Sequence, residues 1–146
     1  MNPYLSIKGS LSTLLKGLYP AFDVFFEEIS KTEEDDFQNE MEDYFFVDII
    51  PVSNVTLGKS FTEMNLVIDI AGHIKAEKNE EYLIMADAID KVIRPVFHFE
   101  DRAITVAETS SKIVDRVLHY TFPLVFVIAK EEEYTDPMMG ELDVKI

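Results

Sequence analysis

The sequence predicts an α+β fold in which two helices pack on one face of a mainly antiparallel sheet. Two segments carry apolar residues at helical spacing, one beginning near Asn2 and a longer one near Asn79. The segments between and after them are rich in aromatic and β-branched residues, and two of these alternate between apolar and polar positions. A chain of 146 residues fits one domain. We expect that domain over residues 1–130 and an acidic C-terminal tail over residues 131–146.

The N-terminal helix is predicted from its start signal and its apolar stripe. Asn2 can cap a helix, and Pro3 is tolerated in the first turn. Five residues share one face at helical spacing: Ile7, Leu11, Leu14, Leu15 and Leu18. Residues 22–29 are short and β-rich, which predicts a strand. The acidic residues 30–43 are predicted to form a loop.

The middle of the chain predicts two strands joined by a turn. Residues 44–52 are nearly all apolar, so we expect a buried strand that bends or reaches an edge at Pro51. The turn is expected within residues 53–60. The next strand, up to Ile74, alternates, with one face formed by Met64, Leu66, Ile68 and Ile70 and the wet face by Glu63, Asn65 and Asp69.

The second helix is predicted from Asn79 to the residues before Pro95. Its apolar face comprises Tyr82, Ala86, Ile89 and Ile93, with Met85 and Val92 beside it, whereas Asp87, Asp90, Lys91 and Arg94 are expected to cover the opposite side. Further strands are predicted over residues 102–108 and 112–130. In the last strand six residues alternate onto one face: Leu118, Tyr120, Phe122, Leu124, Phe126 and Ile128. Pro123 interrupts that strand and predicts an edge or a bulge.

The charge balance limits the partners. Twenty-eight acidic and 13 basic residues give a formal net charge of −15. Such a chain repels nucleic acid and anionic membranes unless its basic groups cluster in space. The absence of cysteine excludes disulfides and thiolate metal sites. Without a long apolar run or a signal-like N-terminus, we expect a soluble intracellular protein and no membrane partner.

Motifs that would carry chemistry are weak. Residues 57–60, "LGKS", end like a phosphate-binding loop, but Ser53 stands where its first glycine would be, and a hairpin turn is the better interpretation. His73, His98 and His119 lack metal-ligand spacing. We therefore predict no catalytic, cofactor-binding or metal-binding residues. A small metal-dependent enzyme built from two histidines and nearby carboxylates stays open as an alternative, as does an acidic protein that mimics DNA.

Strand edges and the C-terminal segment are the candidate interaction sites. Edges pair with other chains unless they are protected, and methionines suit a groove on a partner. The candidate partner-interface residues are Pro137, Met138, Met139, Leu142, Phe122 and Phe126. The alternative for the tail is that it packs on its own domain or frays.

Residues 112–144 resemble the tail terminator proteins of tailed bacteriophages and prophages of Gram-positive hosts. The resemblance lies in a "VLHY" strand, an aromatic strand, an acidic spacer, a "PMM" triplet and an "EL" pair, at residues 117–120, 122–127, 131–133, 137–139 and 141–142. The order of elements before this stretch also fits. The chain departs from the pattern in having Asp115-Arg116 where the family usually has an Asp-Gly turn, in its long acidic insertion around residues 33–42, and in Pro123.

The resemblance implies a structural protein that forms a ring, a hexamer in the family, on the last ring of the tail tube. Its partners would then be further copies of itself, the tail tube protein, the head-completion or connector protein and, in a contractile particle, the sheath protein. DNA would only pass through the lumen. The implied location is the head-proximal end of the virion tail, assembled in the host cytoplasm. A related head–tail completion or connector subunit is the alternative within the same class.

Overall fold

The computed structural model describes residues 2–26, 43–76 and 78–129 and confirms the α+β class. The described residues contain two helices, one five-stranded sheet and a separate two-stranded sheet. In chain order the elements are α1 (Pro3–Leu18), β1 (Asp23–Phe25), β2 (Asp43–Leu57), β3 (Phe61–Ile74), α2 (Asn79–Ile93), β4 (Val96–Phe99), β5 (Arg102–Thr105), β6 (Ser110–Val114) and β7 (Val117–Ala129). In the described residues no helix is long and apolar enough to cross a bilayer.

Both helices begin and pack largely as predicted. The Asn2 side chain accepts a hydrogen bond from the Tyr4 backbone N–H at 2.9 Å, which satisfies one free donor of the first turn. Helix α1 buries Ile7, Leu11 and Leu15, whereas Leu14 and Leu18 are only half-buried. Helix α2 buries Tyr82, Met85, Ile89 and Ile93. The 3.6-residue period thus identified the inward stripe of both helices.

The large sheet has the order β1-β2-β3-β7-β6, in which β1 pairs with β2 in parallel and all other neighbours are antiparallel. Strands β2 and β3 form a long hairpin whose turn contains Gly58 with φ of +75°. The pairing shifts register between Pro51 and Ser53, which places an irregularity at the predicted proline. The turn lies within residues 53–60 as predicted, but β2 is longer than expected, because it continues in register past Val52 to Leu57.

Two predictions in the last third need correction. Residues 112–130 form two strands rather than one, because a two-residue turn separates β6 from β7 at Asp115 and Arg116, where the family resemblance placed a turn. Both turn residues have positive φ, 52° and 63°, as a type I′ hairpin requires. Strand β4 was missed: it follows Pro95 directly, and among the described residues it pairs only with β5. Four residues are too few to show a period.

The core lies between the helices and the inward face of the large sheet. The small β4–β5 sheet closes one side, with the Phe97 ring centroid 5.9 Å from that of Phe122 and the Phe99 centroid 5.0 Å from that of Phe126. The buried Tyr82 hydroxyl joins two elements, since it donates to the backbone oxygen of Arg116 at 2.6 Å and accepts from the Ile74 N–H at 3.0 Å. This packing leaves the other face of the sheet, its edges and the β2–β3 hairpin for contacts with partners.

Candidate assembly surface

The outward face of the large sheet follows from the alternation along β3 and β7. Because residues such as Met64, Ile68 and Leu124 point into the core, their neighbours along each strand point the other way. The outward positions are half-buried or exposed and include Ile50, Val125 and Val127, which are 40%, 46% and 40% exposed. In the described part of the chain the helices pack on the opposite, inward side of the sheet. An apolar strip therefore lies on a sheet face that could receive a partner.

The β2–β3 hairpin extends this strip beyond the core. Every residue from 51 to 61 is exposed, although Leu57 still pairs with Phe61 and Val55 with Glu63. Four large apolar side chains are among them: Val52, Val55, Leu57 and Phe61. The only charged residue in this stretch is Lys59. In a chain with a net charge of −15, the hairpin tip (residues 51–61) is unusually apolar and free of acidic groups.

One open sheet edge lies along the second half of β7. Strand β6 pairs with β7 only as far as Thr121, so residues 122–129 have a strand neighbour on the β3 side alone within the described chain. Pro123 lies at the start of this stretch. Because proline has no backbone N–H to donate, it is tolerated at such an unpaired edge without the loss of a hydrogen bond between strands. The Val127 carbonyl accepts a hydrogen bond from Arg102 Nη1 at 2.6 Å instead of one from a strand. The predicted edge at Pro123 is thus confirmed.

The other open edge lies on the opposite side of the sheet, along β2. Strand β1 pairs with Tyr44, Phe45 and Phe46, and from Val47 onward the described residues give β2 a neighbour only in β3. The two edges are separated by β3 and differ in sequence. Exposed edges carry unused backbone donors and acceptors, so each can pair with another chain.

Charged groups occupy the centre of the outward face. Asp48 lies directly opposite Asp69 in the β2–β3 ladder, an arrangement that repels. The His119 imidazole Nδ1 lies 3.3 Å from the Asp69 carboxylate and offsets this repulsion when it is protonated. His73 stacks on Tyr44 with ring centroids 5.1 Å apart. Among the described residues no group of three or more His, Cys, Asp or Glu side chains could hold a metal ion.

The two most strongly perturbed titratable groups, Asp90 and Tyr120, contact each other and share one structural explanation. The Asp90 carboxylate accepts hydrogen bonds from the Tyr120 hydroxyl at 2.7 Å, from the Thr109 hydroxyl at 2.8 Å and from the Arg94 guanidinium at 2.7 Å. The bond from Arg94, with the two hydroxyls, lowers the pKa of Asp90 to about 2. Burial and the adjacent carboxylate raise the pKa of Tyr120. Asp90 therefore joins α2 to β7, which corrects its expected place on the solvent side of the helix.

The structure separates the predicted partner residues into two groups. Phe122 and Phe126 lie in the core with 1% and 4% of their area exposed, so their side chains face the helical side of the sheet. Pro137, Met138, Met139 and Leu142 fall outside the described residues. Contact of these six residues with a partner stays a prediction. The solvent-facing side chains of the same strand, Val125 and Val127, were missed, although the alternation that groups Phe122 and Phe126 on one face places these two on the other.

These features define the class of protein. The described surface offers open strand edges and an apolar hairpin, which are features of a subunit that assembles with other chains. A family model described as phage tail terminator protein matches residues 6–136. The chain therefore belongs to the phage tail terminator family and is a structural component of a phage tail.

Other comparisons concern the fold. No curated protein matches the chain. Nine solved chains match it. One of them, which carries no functional name, is 12% identical over 90% of this chain and 95% of its own length, with a TM-score of 0.50. At that identity the likeness shows a shared fold alone.

Proposed function

We propose that this tail protein closes into a ring on the last ring of the tail tube, stops tube growth and supplies the surface to which the head is joined. The observation that supports the proposal is the pair of dissimilar open edges, β2 from Val47 and β7 from Phe122, on opposite sides of one sheet. When one patch of each copy contacts a different patch of the next copy, the same rotation relates every pair of neighbours. The copies close into a ring if repeating that rotation completes a full turn.

The family suggests the remaining features of the proposal. The ring is a hexamer, and its partners are the tail tube protein, the head-completion or connector protein and, in a contractile tail, the sheath protein. Assembly takes place in the host cytoplasm at the head-proximal end of the tail, and the C-terminal motifs favour a phage or prophage of a Gram-positive host. With a net charge of −15 per copy, an acidic lumen would let DNA pass without binding it.

Tail assembly in the presence and absence of this chain tests the proposal. Tubes assembled from tube protein alone should reach uncontrolled lengths in electron micrographs. Added chain should stop elongation and appear as an extra ring at one tube end. Tubes whose length distribution does not respond to the chain would contradict the proposal. Binding to the head portal before any tube is present would identify a head–tail completion subunit instead.

A further inference from the structure

The hairpin tip presents three apolar side chains on one side of its two strands. Val55 and Leu57 lie on the same face of β2, and Phe61 faces Leu57 across the hairpin. They are 43%, 41% and 50% exposed. Surface clusters of large apolar side chains commonly mark contacts with other molecules. Lys59 lies in the turn immediately beside them.

A groove on the helical side of the molecule has complementary properties. It lies between α1 and β4, and its volume is about 650 Å³. Small side chains of α1 form one wall, and apolar residues form much of the rest: the lining is Ser6, Gly9, Ser10, Thr13, Leu14, Val92, Val96, His98 and Glu100. The groove is open to solvent, and its volume can accept the three apolar side chains of the tip while the hairpin backbone stays outside it.

The charges at the groove favour the hairpin tip over other surfaces of the chain. Glu100 lines the groove, and Asp101 follows it in the exposed turn between β4 and β5. Glu100 interacts with Arg102 at 3.5 Å, whereas Asp101 adds a second carboxylate to the same turn. Most surfaces of this acidic chain would repel such a turn, but the hairpin tip carries only the positive Lys59.

We propose that the β2–β3 hairpin tip of one copy docks in the α1–β4 groove of the next copy, with Val55, Leu57 and Phe61 over the apolar wall and Lys59 beside Glu100 and Asp101. The inference rests on the proposed ring, since it names a contact between neighbouring subunits in addition to the strand edges. Tip and groove are different patches, so the contact is heterologous and can repeat around a closed ring. It explains why an acidic protein keeps an apolar hairpin tip, residues 51–61, that is free of acidic residues and exposed when the chain is alone.

Cross-linking tests the contact directly because the chain has no native cysteine. We would prepare Lys59→Cys, Ser10→Cys and the double variant, and treat each with a short bis-maleimide in the presence of tube ends. The double variant should give a ladder of covalent oligomers. An equimolar mixture of the single variants should give dimers only, and each single variant alone should stay uncross-linked. Cross-linking of Lys59→Cys alone would show hairpins that meet each other and would overturn the proposal.

Surface substitutions provide an independent measurement. Leu57→Asp and Phe61→Asp should each weaken self-association by about tenfold or more, because each removes a large apolar side chain from the contact. Leu83→Asp is the matched control, since Leu83 is 61% exposed on α2, belongs neither to the hairpin tip nor to the groove lining, and should leave association unchanged. Circular dichroism would verify that all three variants fold.

The outcomes separate this inference from the proposed function. Rings that cap tubes normally with Leu57→Asp and Phe61→Asp would refute the hairpin contact and leave tube termination intact. Capping lost in these variants while isolated rings persist would assign the hairpin to the tube protein and also refute the proposal. A ladder from the double variant without any effect on tube length would support the contact and contradict the function.

Discussion

At the scale of single residues, Asp90 shows how one carboxylate joins three parts of the fold. It lies near the end of α2 and accepts bonds from Tyr120 in β7 and Thr109 in the segment before β6. The helix period placed Asp90 on the polar side, and this was correct for its neighbour Asp87, which pairs with Lys91 at the surface. Sequence periodicity assigns a face of a helix, but it cannot show which polar residue at the margin meets another strand.

Asp90→Asn should lower the free energy of unfolding by about 1–3 kcal/mol at pH 7, because charged hydrogen bonds are lost. The folded pKa of Asp90, about 2, lies below the ordinary value of about 3.9. Its stabilisation is therefore present above pH ~4 and lost as the pH falls toward 2, and the variant should lack this part of the acid dependence. Urea unfolding from pH 2 to 7 measures it. Asp87→Asn, in an exposed pair, should change stability by less than about 0.5 kcal/mol; equal effects of both variants would contradict the role of Asp90.

The turn between β6 and β7 concerns the backbone of a single residue. Arg116 has φ of +63° although it is not glycine, at the place where the family usually has one. Arg116→Gly should raise the free energy of unfolding by about 0.5–1 kcal/mol. The left-handed conformation costs an L-residue about 1–2 kcal/mol, and glycine avoids this cost. Part of the gain is offset because glycine loses more backbone entropy on folding. Its backbone oxygen, which accepts from Tyr82, is retained. Arg116→Ala controls for loss of the side chain, and stabilisation by alanine as large as by glycine would contradict the backbone explanation.

At the scale of elements, the sequence predicted a strand well where one face of the strand is buried and the other is exposed. Strand β3 alternates between core and outward residues, and its inward set was predicted correctly because periodicity reflects that burial. Strand β2 extends past its buried half into an exposed hairpin, so residues 53–57 show no burial pattern and the strand was predicted to end too early, at Val52. The assembly surface lies in such segments. Alternation in the sequence shows which residues are buried within one chain. It gives little information about a surface that is buried only when other chains bind.

The contact between β3 and α2 depends on a glycine. A Cβ at Gly72 would lie 2.6 Å from Met85 Sδ and 3.2 Å from a ring carbon of Phe45, both buried. Gly72→Ala should therefore lower the free energy of unfolding by about 1–3 kcal/mol through overpacking. Gly9→Ala, in open space on α1, is the matched control and should be neutral or stabilising by up to about 1 kcal/mol. Thermal or urea unfolding measures both, and a neutral Gly72→Ala would show that α2 can move away without cost.

At the scale of the whole molecule, composition predicted the charge but not its distribution. The −15 net charge follows from counting, whereas the folded chain brings acid-free segments, such as the hairpin tip, to places where copies can approach one another. The family and the fold class were accessible from the order of elements and the C-terminal motifs. The open edges were only partly accessible, since Pro123 marked one of them but the length of the unpaired stretch depends on where β6 begins, at Ser110 opposite Thr121.

Like charge on every copy makes ring assembly sensitive to salt. If the contacts between copies are apolar, the repulsion among chains of −15 opposes them, and salt should relieve it as the screening length falls from about 10 Å at 0.1 M toward 3 Å at 1 M. Sedimentation velocity should therefore show self-association increasing from 0.05 to 0.5 M sodium chloride, a salt chosen because it does not strengthen apolar contacts as sulfate does. Leu57→Asp, which adds a negative charge and removes an apolar contact, should self-associate more weakly than the unmodified chain at every salt concentration. Dissociation of the assembly as salt rises would show that ion pairs hold the copies together, and the apolar hairpin would then not be the main contact.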